Sequence, residues 1–351
     1  MLANIQESLT NFCYRPADNR SFPWGNPTQG PVDRRFRQAS GHGKGFMQPT
    51  SAGAAERRTS QMRIAVCAKL DLFGAIALNH LLPRLVDHKV AVFYSNKRRN
   101  DEVTVPELAR LRLLERDLPL GVLFPLLERS PASEGFRTFQ QLADAYGLSG
   151  TILTDLKADG DRPLLAAFQP DLILSVRFSL IFPQALIDQP RHGIINVHPG
   201  RLPDYGGLFA PFRQMLNGEQ TLGCTIHMVD RGIDTGPILA IEPVPLDPAH
   251  SMIWHSARLY AAGARRAADF VDRLAAGLPL RPEPQDPSAR AYYHFPTNEE
   301  FAAFAARGFE TATPDDYIDC LRLFLPSIDL AAIERLVPTA AAIDRRVAGC
   351  P

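Results

Sequence analysis

Cysteine is scarce and unpatterned. The 351 residues hold five (Cys13, Cys67, Cys224, Cys320 and Cys350), widely spaced and without a C-x-x-C pair. That spacing fits neither a disulfide framework nor a zinc knuckle, and it predicts a reducing, cytoplasmic setting. Surplus charge is also missing. Lys+Arg and Asp+Glu both number 38, whereas a chain that grips many phosphates usually carries a basic excess. No run approaches the ~18 consecutive apolar residues of a membrane span, and the first 25 residues lack the apolar core of a signal peptide. The sequence therefore predicts neither a nucleic-acid nor a membrane partner. Gly-x-Ser-x-Gly is absent, which removes the nucleophile elbow of serine hydrolases. The first strand-to-helix turn, 68–74, lacks Gly-x-Gly-x-x-Gly, which disfavours a dinucleotide cofactor. His192 and His198 flank a strand instead of sharing a helix face, so no metal site is expected.

What is present is globular: 45% hydrophobic and 22% charged residues, with 24 Gly and 30 Pro. The chain divides in three. Residues 1–62 mix Gly, Pro, Ser, Asn and Arg with no helical or strand period, carry eight basic residues against four acidic, and are expected to form no packed structure. Their Gly43-Lys44-Gly45 run lacks the spacing of a phosphate loop, and Met62 is a candidate natural start because a strand-like run follows it at once. Residues 63–250 alternate short apolar runs with longer amphipathic ones, the pattern of βαβ units. Strands are predicted at 64–67, 90–94, 172–176 and 194–197, with helices at 74–86 and 139–146. Two further strands, 223–229 and 237–242, are expected to close the sheet edge. Residues 251–351 are expected to form a mainly helical extension. Met252 to Leu274 holds a 3.6-residue apolar period, Thr297 to Glu300 is a capping box, and Pro314 opens another helix. This segment has 11 Arg, no Lys and 13 acidic residues, an unsuitable balance for gripping RNA.

The chemistry concentrates in 193–207 and 222–237. An apolar strand delivers Asn196 and His198 to its carboxyl end, where a period of two sends both side chains to one face. That edge is where open α/β sheets bind ligands. Asp234, in a Gly-Ile-Asp-Thr-Gly loop leaving another strand, is placed to converge on the same crevice. Taken singly, a histidine after a strand is more often structural than catalytic, and an aspartate in such a loop is more often a turn former. Together, an amide, an imidazole and a carboxylate can polarise a carbonyl and move a proton.

Asn196-x-His198-Pro-x-x-Leu-Pro203-x-Tyr205-x-Gly, followed by Gly-x-Thr225-Ile-His and Asp234-x-Gly236-Pro-Ile-Leu, resembles the formyltransferase family that uses 10-formyltetrahydrofolate. The resemblance is detailed over 171–245 and weaker back to Met62. It implies a doubly wound, mostly parallel sheet of the Rossmann-like formyltransferase kind. It also implies a one-carbon transferase in which Asn196 bonds the formyl oxygen, His198 stabilises the developing charge and helps proton transfer, and Asp234 orients His198 or a water. The pterin would lie against Phe178, Ser179, Leu180 and Ile181 and against Asp230, Arg231, Gly232 and Ile233. Lys69, Asp71 and Tyr205 are the acceptor-side candidates.

Departures from the family pattern bear on the acceptor. Gly200-Arg201-Leu202-Pro203 stands where many relatives have Ser-Leu-Leu-Pro, and Lys69 to Phe73 replaces the phosphate loop of glycinamide ribonucleotide formyltransferases. A basic C-terminal barrel, as in methionyl-tRNA formyltransferases, is not suggested. The expected acceptor is therefore an amine of a small metabolite, of the hydroxyornithine or nucleotide-linked amino-sugar kind. A non-catalytic folate- or partner-binding relative and a methionyl-tRNA formyltransferase are the alternatives. The C-terminal segment is expected to shape the pocket or to form a homodimer.

Overall fold

The computed structural model describes residues 60–97, 105–129, 135–157 and 159–325. The expectations for residues 1–59, including the Gly43-Lys44-Gly45 run, and for 326–351 lie outside the described residues.

A seven-stranded sheet organises the chain: β1 (Arg63–Lys69), β2 (Lys89–Ser95), β3 (Gly150–Leu153), β4 (Leu172–Val176), β5 (Ile194–His198), β7 (Thr221–Met228) and β8 (Ile238–Pro245). The spatial order is β3-β2-β1-β4-β5-β7-β8, with a short β6 (Gly206–Gly207) pairing β9 (Tyr292–Tyr293) apart from it. The first five strands run parallel, and β7 and β8 join antiparallel. The expected doubly wound, mostly parallel sheet with a helical C-terminal part is what the chain forms. Alternation sorts β1 between two interiors: Ile64, Val66 and Ala68 enter one apolar cluster, and Ala65 and Cys67 enter the other.

The helices are α1 (Leu72–Leu81), α2 (Pro106–Arg112), α3 (Phe124–Leu127), α4 (Phe139–Tyr146), α5 (Arg162–Ala167), α6 (Gln184–Ile187), α7 (Ala210–Leu216), α8 (Met252–Ala275), α9 (Asn298–Ala306) and α10 (Pro314–Arg322). Helix α1 starts two residues before the expected 74 because the Asp71 carboxylate accepts the Gly74 N–H at 2.8 Å and caps it. It stops at Leu81, and 82–84 tightens into a 3₁₀ turn, because Pro83 has no N–H for the Asn79 carbonyl. Helix α4 occupies its predicted span, opened by a Thr138/Gln141 capping box and ended by Gly147 at φ +62°.

The sequence reading left 106–127 without an element. Wide π turns at 113–117 and 119–123 connect α2 and α3, and Leu111, Leu114, Leu118 and Val122 bury themselves on the first core. Pro119, Gly121 and Pro125 read locally as breakers, yet tertiary burial holds the segment helical.

Helix α8 lies across the sheet beneath β5 and β7. Its Gly263 makes the close approach feasible, since a Cβ there would sit 2.5 Å from both Cys224 Sγ and Val197 Cγ1. The apolar stripe read from the sequence is the buried face, with Ile253, Ala257, Tyr260, Ala264, Ala267 and Val271 all in the core. The helix that follows residue 250 thus completes the same hydrophobic interior as the strands before it.

Candidate active site

The strand order reverses between β1 and β4, and a cavity of about 320 Å³ opens at the carboxyl ends of β1, β4 and β5. Asn196, His198 and Asp234 line it together. In β5, Ile195 and Val197 face the first core, which turns the alternate residues Asn196 and His198 to the other face of the strand.

The loop after His198 is pinned from several sides. Thr225 Oγ1 donates to the Gly200 carbonyl at 2.6 Å and accepts the Leu202 N–H at 3.0 Å. Gln214 accepts the Gly223 N–H at 2.7 Å. Gly200 is required sterically: a Cβ would meet the Tyr205 oxygen at 2.6 Å and His198 Nε2 at 2.7 Å.

Hydrogen-bond logic fixes both imidazoles. His198 Nε2 is 2.6 Å from the Tyr205 carbonyl, which only accepts, so Nε2 carries the proton. Nδ1 is left facing Asp234 Oδ2 at 3.7 Å. His227 Nδ1 donates to the Met228 carbonyl at 2.8 Å, which leaves Nε2 to accept from Asn196 Nδ2 at 3.1 Å. Burial lowers the His227 pKa to about 4, and the opposing pull of Asp234 does not reverse this, so His227 is neutral at ordinary pH. Asp234 adopts φ +56° and accepts the Gly207 N–H on Oδ2 at 2.8 Å. His227 was not singled out from the sequence. Its partnership with Asn196 follows from the register of β5 on β7, where the two lie directly opposite.

Phe178, Ser179, Leu180, Ile181, Asp230, Gly232 and Ile233 all line the cavity. Arg231 does not: it is exposed, and its Nε donates to Gln184 at 2.8 Å. Lys69 and Asp71 also line the cavity. The Asp71 carboxylate is wholly buried and committed to the α1 cap and to Arg177 Nε at 2.5 Å. Tyr205 is not among the lining residues. Its ring stacks on Tyr293 with centroids 6.0 Å apart, and its hydroxyl donates to Glu219 at 2.7 Å, so it contributes to the site through its backbone carbonyl.

The sequence reading also missed Arg177, which sits at φ +57° just past β4. It is ion-paired to Asp71 and Glu115 and lies over the Phe73 ring at 4.9 Å. Among the described residues, no group of three His, Cys, Asp or Glu could hold a metal ion, and no helix is long and apolar enough to cross a membrane.

Residues 157–265 match the formyl transferase family model. That is the family whose two linked motifs the sequence carries at 193–207 and 222–237. The chain is 34% identical over 189 residues to a methionyl-tRNA formyltransferase of Aromatoleum aromaticum, covering 52% of this chain and 60% of that one. It is 41% identical over 124 residues to a methionyl-tRNA formyltransferase of Geobacter sulfurreducens, covering 35% and 38%. In both cases it spans less than two thirds of the relative. Among solved structures, a 4-N formyltransferase from Francisella tularensis aligns with 75% of this chain and 87% of its own, at 17% identity and TM-score 0.46.

Proposed function

We propose that this protein transfers a formyl group from 10-formyltetrahydrofolate to the amine of a small metabolite, of the hydroxyornithine or nucleotide-linked amino-sugar kind. The observation that carries the reading is the meeting of Asn196, His198 and Asp234 at one cavity wall, next to an apolar platform. Phe178, Leu180, Phe182, Val229 and Ile233 give that platform a surface suited to a flat heterocycle. Ile181 is 70% exposed at its rim, a large apolar side chain that a bound ligand would cover.

When bound, the donor would supply a formyl carbon whose oxygen gains negative charge as the amine attacks. Asn196 commits one amide hydrogen to His227 and retains a second for that oxygen; one such donor is worth about 3 to 4 kcal/mol in the transition state. With His198 Nε2 donating to the Tyr205 carbonyl, Nδ1 is the ring nitrogen open to the proton that the amine sheds. Asp234 beside it stabilises the imidazolium so formed. His227, neutral, keeps Asn196 oriented without adding charge.

The test is calorimetric titration of the full chain with 5-formyltetrahydrofolate, a stable stand-in for the donor, followed by a screen of amines for release of tetrahydrofolate. Binding by wild type is expected, together with a loss of at least about 100-fold in turnover for His198→Ala. A folded protein that binds no folate would shift the reading to a non-catalytic relative that recognises a partner. A second reading, methionyl-tRNA as acceptor, is favoured by the names of the relatives described above. Charged initiator tRNA therefore belongs in the same screen, and its selective use would replace the small amine.

A further inference from the structure

Between α8 and α9 the chain returns to the site and binds both of its loops. Residues 283–293 run as a strap. Glu283 and Ile238 exchange backbone hydrogen bonds at 2.8 and 2.7 Å, at the start of β8. Ala291 donates to the Pro203 carbonyl at 3.1 Å and accepts from Gly206 at 3.1 Å, and the Tyr293 carbonyl accepts the Leu208 N–H at 2.9 Å. The strap thus holds Gly207, whose N–H fixes the Asp234 carboxylate. On the other loop, Arg290 donates to the Ile233 carbonyl at 3.0 Å.

Gln285 is the centre of this arrangement. Its Nε2 donates to the carbonyls of Asp234 at 3.1 Å and of Gly236 at 2.6 Å. Both neighbours can only accept, so the amide must face them with its nitrogen. Its Oε1 is buried with no hydrogen-bond partner, so the side chain works here as a donor alone. The segment it grips is conformationally demanding: Asp234 holds a left-handed φ, and a Cβ on Gly236 would strike the Met228 carbonyl.

We propose that Gln285 is a positioning residue, fixing the backbone of Asp234 so that its carboxylate reaches His198 Nδ1. The inference deepens the formyl-transfer reading and rests on it for the importance of the His198 and Asp234 pair. Its geometry is read without any formyl transfer.

The experiment follows the imidazole of His198 by NMR titration in the full chain. The ionisable side chains facing it are Asp234, with Oδ2 3.7 Å from Nδ1, and His227, whose ring centroid lies 6.5 Å from that of His198. Asp234→Asn calibrates the response: removing the carboxylate's charge should move the His198 midpoint to lower pH. Gln285→Met, which keeps the length and removes the donors, and Gln285→Ala should each move it the same way, by at least half as much. Gln285 is only partly buried, so both variants should fold. A His198 midpoint equal to wild type in both would overturn the proposal, whatever happens to melting temperature, because a merely structural strap would alter stability alone. Failure of the formyl-transfer reading is seen separately, as absent folate binding with the midpoint shift still present.

Discussion

Replacing Arg177 with methionine should destabilise the protein more than almost any other single change at the cavity wall. The guanidinium pairs with two carboxylates whose side chains are 0% exposed at Asp71 and 11% at Glu115. Burial by itself would push the Arg177 pKa down, but Asp71 and Glu115 reverse that and hold it well above the ordinary value. Removing one partner of a buried ion cluster while the others stay costs about 3 to 5 kcal/mol, because the carboxylates stay out of water with weaker compensation, Asp71 facing the more distant Lys69 Nζ at 3.9 Å. At about 2 to 4 °C per kcal/mol for a domain of this size, the melting temperature should fall by about 6 to 20 °C. The informative comparison adds Asp71→Asn and Glu115→Gln to Arg177→Met. Asparagine caps a helix about as well as aspartate, so the cap of α1 survives while the stranded charge is removed. Urea unfolding followed by circular dichroism, extrapolated linearly to water, should recover most of the loss in the triple variant. An Arg177→Met protein within about 0.5 kcal/mol of wild type, the range of a surface change, would refute the reasoning. So would a triple variant no more stable than the single one.

Other consequences are open to measurement. The His227 pKa is lowered to about 4 by burial, whereas an unfolded histidine titrates near 6.5. Between those values the unfolded chain binds more protons, so stability should rise with pH across that window, by about 3 kcal/mol from this residue. His227→Asn should flatten the slope of urea stability against pH and leave the share contributed by His80, whose pKa burial also lowers to about 4. Identical slopes would show that His227 is not buried neutral. Gly263→Leu should force α8 off the sheet at Cys224 and Val197, an overpacking cost of about 1 to 3 kcal/mol. Because Val197 lies between Asn196 and His198, folate affinity should fall with the melting temperature. A Gly263→Leu protein as stable as wild type would contradict the close approach.

The elements visible from the sequence were those whose local signals agree. Residues 172–176 form a run buried on both faces, and Thr138 to Tyr146 carries its own cap, stripe and glycine stop, so no tertiary information was needed to place either. Asn196, His198 and Asp234 were likewise visible as two linked motifs. The unseen part of the site depends on pairings between distant residues. Asn196 and His227 are separated by 31 positions and brought together by strand register, and Arg177 reaches 106 positions back to Asp71. Gln285 carries no local mark at all: it sits among Pro, Arg and Asp, and its importance lies in two carbonyls about 50 positions earlier. The helical run 106–127 was hidden for the opposite reason, since its prolines and glycine signal a break that packing overrules.

Helix α8 couples recognition to the integrity of the fold. Met252, Ser256 and Tyr260, one turn apart along it, border the cavity, while Ala264, Ala267 and Val271 farther along the same rod are sealed in the interior. A chimera spliced near residue 250 would inherit a sheet with its cover exchanged, and an altered cavity wall would arrive together with a repacked core. A splice placed after Tyr293 would carry the helix and the strap along with the strands they serve, but it would exchange Phe304 of α9 and Tyr317 of α10, which seal the same interior.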